Sequence, residues 1–302
     1  MKRLITWLGL ICIFAGVYIG REELSRYFYE LLRGNTNVVL EYSNKYTREH
    51  NYDFLKTTTK FDVENKTELL NVYYTILNSG IDEFSFFCNK KYKECINDVI
   101  YMNNHQEYLS SINSYVHPYN SFQSIETVYD TLGKVTLKIV KAYTKEQINE
   151  IEKKVQEIID NKIKNTTDKK EIIKIVHDYI IENTKYDSDR SDKNIIKYAS
   201  NIAYGPLLEG FAICGGYTDA MAIFLDRYNI PNISITSEEH IWNGVYINNK
   251  WYHLDLTWDD PIVSDGRQIL DYTYFLISTK DLLEHEKLQH NFNKSVFPEF
   301  AN

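Results

Sequence analysis

The sequence predicts an α+β protein. A helix with a cysteine at its N-terminus packs on an antiparallel sheet, and a small α+β unit precedes that core. Three observations carry this expectation. Ile213-Cys214-Gly215-Gly216-Tyr217 leads into the apolar run Ala220 to Leu225, long enough for a buried helix. His240 to Ile247 alternates as a strand, Asn248-Asn249 suits a tight turn with positive φ, and Lys250 to Asp255 returns as a second strand. Residues 61–143 mix helical stripes with short strand-like runs and form the smaller unit.

The chain opens on basic Met1-Lys2-Arg3, and no charge follows from Leu4 to Gly20. As a helix that run spans about 26 Å, the low end for a membrane crossing. A secretory signal is also basic and then apolar, but its cleavage needs small residues at −3 and −1. Neither Tyr18 with Gly20 nor Phe14 with Gly16 meets that need, and Ile11 before Cys12 makes a poor lipoprotein site. An uncleaved signal anchor over 1–22 is therefore expected, a single-pass segment in the cell membrane with the body extracytoplasmic. A cleaved signal, giving a secreted protein, and a buried helix are the alternatives. Arg21, Arg26 and Arg33 leave the positive-inside count undecided. The short leader and large body favour outward insertion. Residues 23–60 are polar and aperiodic and read as a helical or irregular stalk.

Within 61–143, a helical stripe follows Thr67 through Leu69, Leu70, Tyr73, Ile76 and Leu77, with Gly80 at its end. Glu83 to Phe87 reads as a strand, about 91–102 and 105–116 as helices, and Ile125–Tyr129 and Val135–Val140 as strands joined through Leu132-Gly133. No catalytic spacing occurs there. Cys88 and Cys95 can close a disulfide in an exported protein or remain two buried thiols. The block 144–302 begins with Thr144 and Gln147 as a capping box, then the stripe Ile148, Ile151, Val155, Ile158 and Ile159. Asp168 with Glu171 opens the next helix, which runs to about Asn183. A net charge of −8 without a basic stripe argues against a nucleic-acid partner, and there is no Gly-rich phosphate loop.

Cys214 carries the chemistry. The first-turn N–H groups and the macrodipole stabilise a thiolate at a helix N-terminus, and Gly215 and Gly216 let other backbone come close. Alone, such a cysteine can equally be a core residue. The hairpin supplies what a nucleophile needs. A two-residue turn pairs Ile247 with Lys250 and, counted outward, sets Trp242 opposite Asp255 and His240 opposite Thr257. His240 and Asp255 then become diagonal neighbours within hydrogen-bonding reach, whereas a three-residue turn would flip the parity. A base within reach of the thiol and a carboxylate that orients the imidazole are the elements of nucleophilic catalysis. His253 shares the face of Asp255 and is a rival base. A metal site from Cys214, His240, His253 and Asp255 is a further rival, but no CxxC or HExxH spacing supports it.

These motifs, Cys214-Gly215-Gly216-Tyr217, His240-Ile241-Trp242-Asn243-Gly244-Val245 and Trp251-Tyr252-His253-Leu254-Asp255-Leu256-Thr257-Trp258, resemble the transglutaminase-like superfamily of papain-related cysteine enzymes. His177-Asp178-Tyr179 and Tyr186-Asp187 are similar to the helix that precedes its core, so the likeness covers about residues 170–262. The resemblance implies a papain/transglutaminase-like domain over 144–302. It makes Cys214 the nucleophile, His240 the base and Asp255 the orienting residue, with no cofactor or metal. It also implies an oxyanion hole from the Cys214 N–H and a second donor, for which Tyr204 is the candidate. Two positions depart from the family pattern: Ile241 stands where Ala is commoner, and Gly216 where Glu, Ser or Arg often sits beside the nucleophile. The implied activity is thiol-dependent acyl transfer on amide bonds, of peptidase, amidase or transglutaminase type, on a protein or peptide substrate at the cell surface. A non-catalytic, membrane-tethered binding or structural protein on the same fold is the alternative, with metal-dependent hydrolysis a weaker third.

Overall fold

A computed structural model describes residues 40–130, 132–263 and 267–301. The expected signal anchor and the first part of the expected stalk lie outside the described residues. Among those described, no helix is long and apolar enough to cross a membrane.

The first unit runs β1 (Asp62–Val63), α1 (Lys66–Asn78), β2 (Glu83–Cys88), α2 (Cys95–Asn104), α3 (Gln106–Asn113), β3 (Phe122–Tyr129) and β4 (Lys134–Lys141). Its sheet has the order β1-β2-β4-β3. Helix α1 starts at Lys66, two residues earlier than a cap at Thr67 would set it, because the Asn65 side chain accepts from the Glu68 N–H. It stops at Gly80, whose φ of +73° suits a residue without Cβ. Along β4 the period-2 pattern is clean: Val135, Leu137 and Ile139 are buried while Lys134 and Lys138 are exposed. Cys88 and Cys95 are bridged, tying the end of β2 to the start of α2.

The second unit runs α4 (Lys145–Ile158), α5 (Lys169–Asn183), β5 (Lys185–Tyr186), α6 (Ser188–Lys193), β6 (Phe211–Ala212), α7 (Cys214–Arg227), β7 (Asn232–Thr236), β8 (Ile241–Ile247), β9 (Lys250–Leu254), β10 (Phe275–Ile277) and α8 (Thr279–His285). The Thr144–Gln147 capping box forms, and Asp168 caps α5 through the Glu171 N–H. Strands β10-β9-β8-β7 make an antiparallel sheet, and the β8–β9 register pairs Ile247 with Lys250 and Asn243 with Leu254. Asn248 and Asn249 both take positive φ, 52° and 59°, as a two-residue turn matched to strand twist requires.

This sheet is buried on both faces. Val245, Ile247 and Leu254 point into a core with α4, α5 and α7. Ile233, Ile235 and Trp242 point into a second core shared with α1, β2, β4 and the C-terminal Phe297 and Phe300. One hydrophobic core thus runs from the first unit into the sheet of the second.

Residues 40–60, the described part of the expected stalk, are irregular and pack on the body. Tyr52 and Leu55 are buried in the shared core. The Arg48 guanidinium, also buried, bonds Asp226 at the end of α7 (2.9 Å) and the Asn232 side chain at the start of β7 (2.6 Å). The sequence shows no period here because the segment has no regular structure. It is held by individual side chains.

Removing one partner of a buried ion pair leaves the other uncompensated. Arg48→Met should therefore lower stability by about 3 kcal/mol. In a denaturant titration the midpoint should fall with the slope unchanged, and an unmoved midpoint would show that Arg48 does not clamp this segment.

Candidate active site

Cys214 is the first residue of α7 and is half-buried; among the described residues it is the free cysteine. Ile213 enters the helix in extended conformation, and its N–H donates to Ser200 O (2.8 Å). The segment Ser200–Asn201 thereby lies across the first turn. A Cβ on Gly215 would stand 2.8 Å from Asn201 O, and one on Gly216 would stand 2.3 Å from Ser200 O. Close backbone approach is therefore the reason for both glycines, and it accounts for Gly216 where a larger residue is common in the resembling family.

The helix is pinned to β8. Thr218 Oγ1 lies 2.8 Å from Cys214 O and 3.1 Å from Ile241 O, and Asn243 Nδ2 donates to Thr218 O (3.0 Å). His240 sits one residue before β8 and Asp255 one residue after β9, so both leave the sheet at the same end. His240 Nε2 lies 2.6 Å from Asp255 Oδ2, as the turn parity predicts. The other ring nitrogen, Nδ1, is left to face Cys214, whose side chain hydrogen-bonds the imidazole. The Trp242 ring stacks on His240 at 5.6 Å between centroids and 16° between planes.

Asp255 is fully engaged. Its Oδ1 accepts from the N–H groups of Thr257 (3.0 Å) and Trp258 (3.3 Å), and its Oδ2 from His240 and from His290 Nε2 (2.9 Å). Burial would raise its pKa, but the charges and hydrogen bonds of His240 and His290 outweigh burial and hold it well below the carboxylate range. Burial likewise opposes charge on His240. Asp255 and then Cys214 overcome that, and the imidazole is raised to about 10.

His253, the rival base, belongs to the core. Its Nδ1 accepts from Trp242 Nε1 (3.0 Å), its Nε2 meets Thr279 Oγ1 (3.1 Å), and burial pushes it down to about 3. The suggested Cys214–His240–His253–Asp255 metal set is therefore not assembled. The imidazole nitrogens that meet Asp255 belong to His240 and His290, and among the described residues these three form the group close enough together to share an ion.

Tyr204, the expected second oxyanion donor, is turned towards α4. Its hydroxyl donates to Glu150 Oε2 (2.5 Å) on α4, so its proton is already committed. Tyr186 is another candidate phenol. It pairs with Ala212, two residues before Cys214, in the short parallel β5–β6 ladder. Burial raises its pKa, and its hydroxyl donates to Ser191 Oγ (3.3 Å). Tyr186 stands out in the sequence only as part of the Tyr-Asp pair after α5. His290, in an irregular C-terminal segment, carries no motif at all. The loop after Asp255 is held by His177 Nε2, 3.1 Å from Asp259 Oδ2, and by Tyr217, whose hydroxyl donates to Asp260.

No protein-family model matches the chain, and no curated protein matches it. Among solved structures it is similar to a TGase, with 14% identity, a TM-score of 0.34 and 45% of each chain covered. It is also similar to a proposed cysteine protease from Cytophaga hutchinsonii, with 13% identity and a TM-score of 0.28, covering 51% of this chain and 69% of that one. The chain spans 45% of the TGase's length.

Two outcomes follow from this geometry. Helix propensity alone favours Gly216→Ala by about 1 kcal/mol. A Cβ 2.3 Å from Ser200 O cannot be accommodated without moving backbone. The variant should therefore be less stable by about 2 kcal/mol, and Cys214 alkylation should slow; a stabilised variant would refute the close packing. The second outcome concerns pH. A raised His240 pKa contributes stability that is complete below about 6.5 and is lost as pH climbs towards about 10. In a Cys214→Ala background, stability should fall between pH 7 and 9 by more than in Cys214→Ala/His240→Gln. Parallel pH curves would show that His240 is not held protonated.

Proposed function

We propose that this protein is a thiol-dependent acyl-transfer enzyme acting on amide bonds, with Cys214 as nucleophile, His240 as general acid–base and Asp255 as the residue that orients His240. The observation that carries this reading is the continuous contact from the half-buried Cys214 through His240 to a carboxylate 2.6 Å from the far imidazole nitrogen.

The steps balance as follows. With the thiol proton on His240 Nδ1, Cys214 Sγ attacks the amide carbonyl carbon. The carbonyl π pair moves onto oxygen, where the Cys214 N–H and the Tyr186 hydroxyl donate to it. Collapse of the tetrahedral species breaks the C–N bond while His240 passes its proton to the leaving amine, and a thioester remains. Water or a second amine then attacks the thioester, giving its proton to His240, and Sγ departs as thiolate. Water completes hydrolysis and an amine completes transamidation, so products trapped with an added primary amine separate the two.

The Cys88–Cys95 bridge supports an oxidising location, hence a body outside the cytoplasm anchored through the N-terminal apolar run. External protease applied to intact cells should cut the body. Full protection would overturn this placement.

Acylation by an activated amide or ester probe tests the roles. Cys214→Ala and His240→Ala should each lose nearly all acylation, because neither group serves without the other. Asp255→Asn should retain more, since nucleophile and base remain. Tyr186→Phe should slow acylation by about 100-fold while Tyr204→Phe leaves it unchanged. If His253→Ala abolished acylation and His240→Ala did not, in folded protein, the base assignment would fail. If Cys214→Ala matched the wild type, the catalytic reading would give way to a binding role.

A further inference from the structure

Asp255 meets two imidazoles, and only one of them faces the thiol. His290 lies between two carboxylates: Nε2 is 2.9 Å from Asp255 Oδ2 and Nδ1 is 3.1 Å from Glu286 Oε2. A neutral imidazole has one N–H and one acceptor nitrogen, while an ionised carboxylate only accepts. Both contacts are therefore satisfied together when the ring carries two protons. The ring is fully buried, so one misplaced lone pair would go uncompensated. Aromatic groups enclose it: Trp242 at 4.9 Å, Trp258 at 5.5 Å and Tyr274 stacked at 5.4 Å.

We propose that His290 is a positioning residue of this site: as an imidazolium between Glu286 and Asp255, it fixes Oδ2 of the aspartate and offsets part of the negative charge felt by His240. The catalytic consequence rests on the acyl-transfer reading; the charge state does not. The titratable groups that face His290 are Asp255 after β9, Glu286 after α8, His240 before β8 at 5.3 Å between ring centroids, Tyr274 before β10, and His253 in β9. The two carboxylates are its direct partners.

This arrangement answers a problem of balance. A buried aspartate with one imidazole partner gives that partner its full charge and binds its proton tightly. A general acid–base must also release the proton to a leaving amine. A second cation on the same oxygen loosens that hold and keeps Asp255 ionised and correctly turned. Glu286 in turn keeps the second cation charged, so the chain of groups runs Cys214, His240, Asp255, His290, Glu286.

The test is histidine NMR on the full-length chain carrying ¹⁵N-labelled imidazoles. At pH 7 both ring nitrogens of His290 should be protonated. In a Cys214→Ala background His240 titrates without the thiol. His290→Gln keeps a donor to Asp255 and removes the charge, so the His240 midpoint should rise by about one pH unit. Glu286→Gln keeps the ring and replaces the second carboxylate by a neutral amide, which can donate to a lone pair on Nδ1, so His290 should become neutral and His240 shift the same way, by less. A role in packing alone would change stability and leave the His240 midpoint where it was. A neutral His290 in the parent chain, or an unmoved His240 in folded Glu286→Gln, overturns the proposal even if His290→Gln does not fold. Failure of the acyl-transfer reading appears elsewhere, as loss of the difference between Cys214→Ala and wild type in probe acylation.

Discussion

The saturated carboxylate of Asp255 is the constraint on which the site depends. Its two oxygens accept from Thr257 N, Trp258 N, His240 and His290. An ion in this interior would be costly without such partners. With them it becomes a fixed negative point at the end of the sheet, and the orientation of His240 follows from it. The backbone donors come from the turn after β9, so the path of the chain beyond the hairpin, more than strand pairing, aims the carboxylate.

The sheet is the mount. Its β7 and β8 are packed on one face against α7 and on the other against the first unit, through Trp242, Ile233 and Ile235. A sheet clamped on both sides cannot easily slip, and a one-residue slip would send His240 to the wrong face. This gives residues 61–143 a physical role without any catalytic group of their own. Arg48 reinforces the same mount by joining the C-terminal end of α7 to the first residue of β7. Helix α7 is thus held at both ends, with Gly215 and Gly216 beneath Ser200–Asn201 at one and Arg48 at the other.

Charge in the site is arranged along a line. Positive His240 stands between Cys214 and negative Asp255, and both lie in surroundings that burial would otherwise neutralise. Away from this line, buried carboxylates behave in the ordinary way. Asp219 is raised to about 7 and Asp260 to about 6 by burial, and a tyrosine hydroxyl bonds each of them. The contrast shows what the charged His240 does for Asp255 that neutral donors do not.

Local patterns in the chain were sufficient for much of this. Periodicity and caps marked α1, α4 and α5. The Asn248-Asn249 turn settled the hairpin register, and register settled that His240 and Asp255 meet, because strand geometry converts residue numbers directly into neighbours. Glycines after Cys214 announced a close backbone approach. Tertiary structure alone decided the rest. The aperiodic segment 40–60 joined the body through single side chains, which leave no period to read. Tyr204 and Tyr186 look alike in sequence, and only the β5–β6 pairing sets Tyr186 opposite Ala212, two residues before Cys214. His290 lies 35 positions beyond Asp255 in sequence, and only the folding of the C-terminal segment against Trp242 and Tyr274 brings its ring to the same carboxylate oxygen. Spacing specifies contacts inside a helix or a hairpin, whereas contacts between distant segments are chosen by packing, which no local pattern encodes.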